Sequence, residues 1–228
     1  MNKQILFLHG ALATKLQFIQ IINELKNEYT CHTINFAGHG GEIIPVTGLT
    51  FDTFSNNILN YLNTNNIDKI NLFGYSMGGY AALYFACKYP DRVEKVFTIN
   101  VKFNWDPVST AKEIGMLNPE KMLEKIPAFA NNLMVVHGLN IWKNLLHSTS
   151  EMMQKLSETV LLTKEQLASI KCPVLVSVGD RDTTSSLTET IDVYKTLSNA
   201  QLLVLPNSPH PFERVNMQVL VHAIKTFF

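Results

Sequence analysis

The sequence predicts an α/β protein, a mostly parallel sheet flanked by helices on both faces and carrying a helical insertion. Two observations carry the sheet and its helices. Short apolar or β-branched runs recur at Lys3–Leu8, Thr30–Asn35, Ile70–Gly74, Val93–Ile99, Cys172–Val178 and Gln201–Leu205, most of them stopped by small residues. Segments of helical period lie between most of them, joined by short connections. The third observation is a change of rhythm. From 101 to 170 Met, Leu, Lys and Glu dominate, and only Leu133–Val136 reads as a strand-like run.

Taken in order, Thr14 is placed to cap a helix whose inner face is Leu16, Ile19, Ile22 and Leu25. Phe51–Leu62 is a second helix with Asp52 near its start, and Tyr80–Tyr89 a third, rich in alanine and suited to close packing on a sheet. In the insertion, helical spacing appears at Pro119–Ile126, Ile141–Leu146 and Glu151–Leu162. A helix over Leu187–Leu197 precedes the last strand, and a terminal helix runs over about Glu213–Phe227. This divides the chain into a core of 1–100 and 171–228 and an insertion of 101–170.

Composition excludes several classes. A chain of 228 residues, 46% apolar, fits one domain with an insertion. Its 19 basic and 19 acidic side chains leave no global field for nucleic acid or an anionic membrane. Cys31, Cys87 and Cys172 are far apart and suit a reduced protein, and no metal-type spacing is present. Met1–Leu12 is too short and too soon broken by His9 and Gly10 for a signal peptide or membrane span. The expectation is a cytoplasmic protein acting on a small molecule, with no nucleic-acid or membrane partner and no cofactor or metal. Monomer and homodimer both stay open.

The chemistry gathers around Gly74-Tyr75-Ser76-Met77-Gly78-Gly79, a Gly-x-Ser-x-Gly between a strand and a helix. Such a turn forces the serine into a strained conformation and lifts its hydroxyl to the carboxyl edge of the sheet. A serine hydroxyl needs a base beside it, and a carboxylate behind the base fixes its tautomer. In an open parallel sheet these groups meet only on loops at the carboxyl ends of strands. Ser76, the Asp180–Asp182 loop and His210 all satisfy that restriction. Met77 N–H, heading the helix after Ser76, is positioned as an oxyanion donor.

Five motifs in order carry a resemblance: His9-Gly10, Phe36-Ala37-Gly38-His39-Gly40, Gly74 to Gly79, Gly179-Asp180-Arg181-Asp182, and Pro209-His210-Pro211-Phe212-Glu213. Together they make the chain resemble an α/β-hydrolase over nearly its full length outside the insertion. The resemblance implies Ser76 as nucleophile, Asp182 rather than Asp180 as the acid, and His210 as base. It implies Ala11 as second oxyanion donor, with Leu12 as the fallback, and makes 101–170 a helical cap over the pocket. The sequence departs from the family's pattern in beginning at what would be the third strand, so the two antiparallel edge strands common there are expected to be absent. Asn35 stands where many relatives carry aspartate. His39 is expected to pack its loop, His9 to brace the oxyanion loop, and His137 and His147 to be solvated or packing. The pocket residues expected are Leu12, Tyr75, Trp105, Phe129 and Trp142.

The function expected is hydrolysis of small, neutral or aliphatic carboxylic esters through an acyl-enzyme. The only arginines, Arg92, Arg181 and Arg214, lie outside the insertion, which disfavours a multiply charged substrate, although Lys102 or Lys143 could hold one carboxylate. Relatives with the same triad cleave carbon–carbon bonds, eliminate small acids in menaquinone biosynthesis, or hydrolyse thioesters and carrier-protein methyl esters. A non-catalytic binding protein on the same fold is the remaining alternative.

Overall fold

A computed structural model describes residues 3–228. Its sheet has six strands: β1 (Lys3–Leu8), β2 (Tyr29–Thr33), β3 (Ile70–Tyr75), β4 (Val93–Ile99), β5 (Val174–Gly179) and β6 (Ala200–Leu205). Their order is β2-β1-β3-β4-β5-β6, and every pairing is parallel. The chain leaves β1 for one edge, then returns to build β3 on β1's other side. That reversal puts the topological switch between β1 and β3, where open parallel sheets hold their ligands.

Alternation along the strands feeds two cores. Leu6 and Leu8 of β1, Leu72 of β3, Val96 of β4 and Val176 of β5 face one side. There they meet α2 (Phe51–Thr64), α3 (Met77–Lys88), α8 (Lys164–Ser169) and α9 (Leu187–Thr196). Phe7, Phe73 and Phe97 face the other side, against α1 (Ile19–Leu25) and α10 (Met217–Phe227). Helices thus cover both faces, as the sequence predicts.

Local corrections have physical causes. Thr14 does cap a helix, accepting Leu16 N–H, but the first turn, Lys15–Phe18, is 3₁₀. Its tighter winding rotates the phase, so Phe18, Ile21 and Leu25 face inward. Leu16 and Ile19, expected inside, are 58% and 54% exposed. The insertion holds α4 (Pro107–Gly115), α5 (Pro119–Lys125), α6 (Pro127–His137) and α7 (Trp142–Glu158) before α8. The strand-like Leu133–Val136 lies inside α6. The two segments expected over Ile141–Leu162 are largely the single helix α7, since no Gly or Pro interrupts the polar residues between them. α8 packs on α3 and α9 and sends Leu167 into the sheet's core. Helices α4–α7 pack mainly on one another; α7 also sends Leu145, Met152 and Leu156 into the sheet's core, while Met122, Ala130, Leu133, Trp142 and Leu146 give part of the group a small core of its own.

Candidate active site

Ser76 ends β3 and begins α3 with φ 52° and ψ −119°. That left-handed φ is strained for a residue with a side chain. The elbow closes only because Gly74 and Gly78 flank it. A Cβ on Gly78 would stand 2.0 Å from the Leu8 carbonyl oxygen, and one on Gly74 2.5 Å from that of Gly78. A serine at a helix start ordinarily caps the first free N–H groups. Ser76 makes no such bond, and its Oγ lies 3.3 Å from His210 Nε2.

On the far side of the ring, His210 Nδ1 lies 2.7 Å from Asp182 Oδ2. The Asp182 side chain is fully buried. Its other oxygen accepts the Thr184 and Ser185 N–H groups, each at 2.8 Å, so the carboxylate keeps its charge paired and its position fixed. An ionised Asp182 can only accept, which puts the proton on Nδ1 and leaves the Nε2 lone pair facing the Ser76 hydroxyl. Asp180 has a different task. Its Oδ1 accepts Ser208 N–H at 3.0 Å, and these backbone bonds hold its carboxyl below the usual range. The structure brings Ser76, Asp182 and His210 together and leaves Asp180 outside.

Sequence reasoning missed Asn100, at the end of β4 with φ 55°. It ties the His210 loop to β5, and its signal was an amide residue at the same carboxyl edge as Ser76 and Asp182. Tyr75 OH also donates to the His210 carbonyl oxygen, at 2.9 Å, and burial raises its own pKa.

The loop after β1 is held at several points. Gly10 N–H donates to Gln17 Oε1 at 3.1 Å. The Gly10 carbonyl accepts from Ala13 N–H at 3.2 Å and from His9 Nδ1 at 2.8 Å. His9 Nε2 accepts Phe36 N–H at 3.0 Å, which fixes that tautomer. Burial lowers the His9 pKa to about 4, so the ring stays neutral. In a trans peptide C=O and N–H point opposite ways, so a held Gly10 carbonyl aims Ala11 N–H away from it. Among the described residues, Ala11 N–H and Met77 N–H donate to no protein acceptor. Both residues line the same cavity as Ser76. Asn35 accepts Lys15 N–H at 2.8 Å and donates to the Gly40 carbonyl at 3.4 Å, joining this loop to the Gly38–Gly41 turn. His39 is fully buried, as loop packing requires.

The cavity measures about 290 Å³ and reaches Ser76 and His210. Leu12, Tyr75, Trp105 and Phe129 line it, together with Met152 and Leu156 of α7. Trp142 does not. It is 2% exposed, buried in the small core of α5–α7. α7 turns Leu145, Met152 and Leu156 toward the main core and Trp142 and Leu146 toward the small one, so its sequence alone does not say which core a given side chain fills. Two charged side chains also border the space, Lys102 and Glu113.

A Ser–His–Asp relay beside two free amides, at the switch point of a parallel sheet, is a constellation for acyl transfer. The family profile described as the alpha/beta hydrolase fold matches residues 3–159. The chain belongs to the α/β-hydrolase fold family. Among curated proteins, 2-hydroxy-6-oxo-6-phenylhexa-2,4-dienoate hydrolase of Burkholderia cepacia is 30% identical over 163 residues, 63% of this chain and 57% of that protein. A 2-succinyl-6-hydroxy-2,4-cyclohexadiene-1-carboxylate synthase of Yersinia enterocolitica is 34% identical over 83 residues, 36% of this chain and 30% of that one. The matched part of this α/β-hydrolase therefore spans at most 57% of these relatives. Among solved structures, a thermophilic esterase of Thermogutta terrifontis superposes with TM-score 0.79 at 21% identity, covering 100% of this chain and 89% of that one. An enol-lactonase of Burkholderia xenovorans gives 0.79 at 18%, covering 100% and 91%. Likeness at these identities shares the fold alone. No helix among the described residues is long and apolar enough to cross a membrane.

Proposed function

We propose that this α/β-hydrolase cleaves small carboxylic esters through an acyl-enzyme on Ser76, with α4–α7 as the cap over the pocket. The observation that carries the reading is the unbroken run Asp182 Oδ2–His210 Nδ1, His210 Nε2–Ser76 Oγ at the wall of a largely apolar cavity. Ser76 Oγ adds to the ester carbonyl carbon while its proton passes to His210 Nε2. The oxyanion forms between Ala11 N–H and Met77 N–H, each donor worth about 3 kcal/mol in the transition state. Collapse breaks the carbon–oxygen bond to the alcohol, which leaves with the proton from Nε2. Water then adds to the acyl carbon, giving its proton to Nε2, and that proton returns to Ser76 as the carboxylic acid departs.

A second reading has one observation in its favour. Lys102 borders the cavity and makes no ion pair among the described residues, so it is available to a substrate carboxylate. The Burkholderia cepacia relative is named for an oxo-dienoate, an acid. On this reading the bond broken is carbon–carbon, on the same triad.

Fluorophosphonate labelling beside p-nitrophenyl esters of two to eight carbons separates them. The ester reading expects labelling at Ser76, absent in Ser76→Ala, with turnover that depends on chain length. Labelling with feeble ester turnover moves the assignment to the acid substrate. No labelling overturns both.

A further inference from the structure

His137 is the last residue of α6 and 1% exposed. Its Nδ1 accepts Gly40 N–H at 2.9 Å. With Nδ1 accepting, the ring proton resides on Nε2, and Nε2–H donates to the Leu12 carbonyl oxygen at 3.0 Å. Leu12 is an unusual recipient. It has φ 59°, a conformation that a leucine does not hold without help. It also packs its side chain against the small core of the α5–α7 helices while lining the cavity beside Ser76.

The peptide that His137 grips is the first of two in series. The C=O of the Leu12–Ala13 peptide is bound to His137, and the N–H of that same peptide, on Ala13, donates to the Gly10 carbonyl. The Gly10–Ala11 peptide in turn carries the free N–H of Ala11. Each trans peptide is a rigid plate whose two polar ends point opposite ways. A pull on the Leu12 carbonyl therefore sets the direction of the Ala11 N–H two plates away. Burial also lowers the His137 pKa, which favours the neutral ring this wiring needs.

We propose that His137 is a positioning residue for the oxyanion donor, through which the helices above the pocket hold the Leu12–Ala13 and Gly10–Ala11 peptides in their working orientation. The site is then competent only with α6 docked on the sheet's edge. This rests on the serine-hydrolase reading of Ser76.

The test compares His137→Phe, His137→Asn and His137→Gln. Glutamine places an amide N–H near Nε2 and keeps the bond to Leu12. Asparagine places its oxygen near Nδ1 and keeps only the bond to Gly40. The readouts are the second-order rate of Ser76 phosphonylation by a fluorophosphonate, and kcat and KM on the best p-nitrophenyl ester. Loss of an oxyanion donor acts on a species formed only at the transition state, so it falls on kcat. The expected result is a drop of about 10- to 100-fold in labelling rate and kcat for Phe and Asn, with KM little changed and Gln near wild type. Equal rates in all variants, rescue by Asn but not Gln, or a change confined to KM each overturn the proposal and leave Ser76's role standing. Should the Phe variant not fold, the Asn and Gln pair decides. Wild-type protein that fails to label overturns the serine-hydrolase reading itself.

Discussion

Asn100 donates its side-chain amide to the carbonyl oxygen of His210 at 3.1 Å. The same amide also reaches the Pro209 carbonyl at 3.1 Å, and its oxygen accepts Gly179 N–H at 2.8 Å. One side chain at the end of β4 thereby fastens the loop that carries His210 to the strand that leads to Asp182. Tyr75 OH takes the same His210 carbonyl from the other side. The spacing between His210 and Asp182 is thus set by backbone clamps as well as by their own bond.

Asn100→Asp keeps the acceptor for Gly179 and replaces the donor with an oxygen aimed at two carbonyls. Activity should fall about tenfold or more, and stability by more than the roughly 1–3 kcal/mol of an unmade neutral hydrogen bond, because a buried carboxylate would face two carbonyl oxygens. Urea unfolding and ester turnover measure the two effects. Unchanged activity would mean that Tyr75 alone suffices to hold the His210 loop.

The two aspartates of the β5 loop separate by role. Asp182→Asn puts an amide where His210 Nδ1–H needs an acceptor, favours the wrong tautomer, and should cost about 10³–10⁴ in kcat. Asp180→Asn keeps an oxygen for Ser208 N–H and should cost less than about tenfold by comparison. Steady-state kinetics on both variants decides, and the reverse ranking would remove Asp182 from the relay.

Buried histidines make stability depend on pH. Burial holds His9 at about 4, His39 well below its ordinary value of 6.5, and His137 below it as well. Folded, these rings bind fewer protons than they do in the unfolded chain, so stability is full above the unfolded value. It declines as pH falls from about 6.5 toward 4, by roughly 3 kcal/mol for His9 alone. The urea midpoint should be clearly lower at pH 5 than at pH 7.5 with an unchanged slope. An equal midpoint at both would show that these rings protonate without loss.

Most of the sheet was legible because its signals are local. Val93–Ile99 is continuously apolar or β-branched apart from Glu94 and Lys95, and it forms a strand over those very residues. Ser76, Asp182 and His210 were legible because sheet topology restricts chemistry to one edge. Asn100 was not, since its value comes from three partners far apart in sequence. His137 looked solvated or packing because nothing in α6 reveals that its last residue lands between Gly40 and Leu12. The inner face of the first helix was misread for a geometric reason, a 3₁₀ turn that shifts the helical phase.

Trp142 and Trp105 illustrate the same limit, and a pair of substitutions tests it. Both are tryptophans of the α4–α7 region, and composition cannot tell them apart. Trp142 fills the small core of those helices, whereas Trp105 borders the cavity with its Nε1–H donated to the Lys102 carbonyl at 3.2 Å. Trp142→Ala empties a closed site and should cost about 3–5 kcal/mol. Where the protein stays folded, its preference for acyl chain length should change little. Trp105→Ala enlarges the cavity instead, and should shift that preference toward longer chains with a smaller loss of stability. Thermal unfolding and kcat/KM across esters of two to eight carbons measure both. A chain-length shift in the Trp142 variant but not in the Trp105 variant would reverse their assignment.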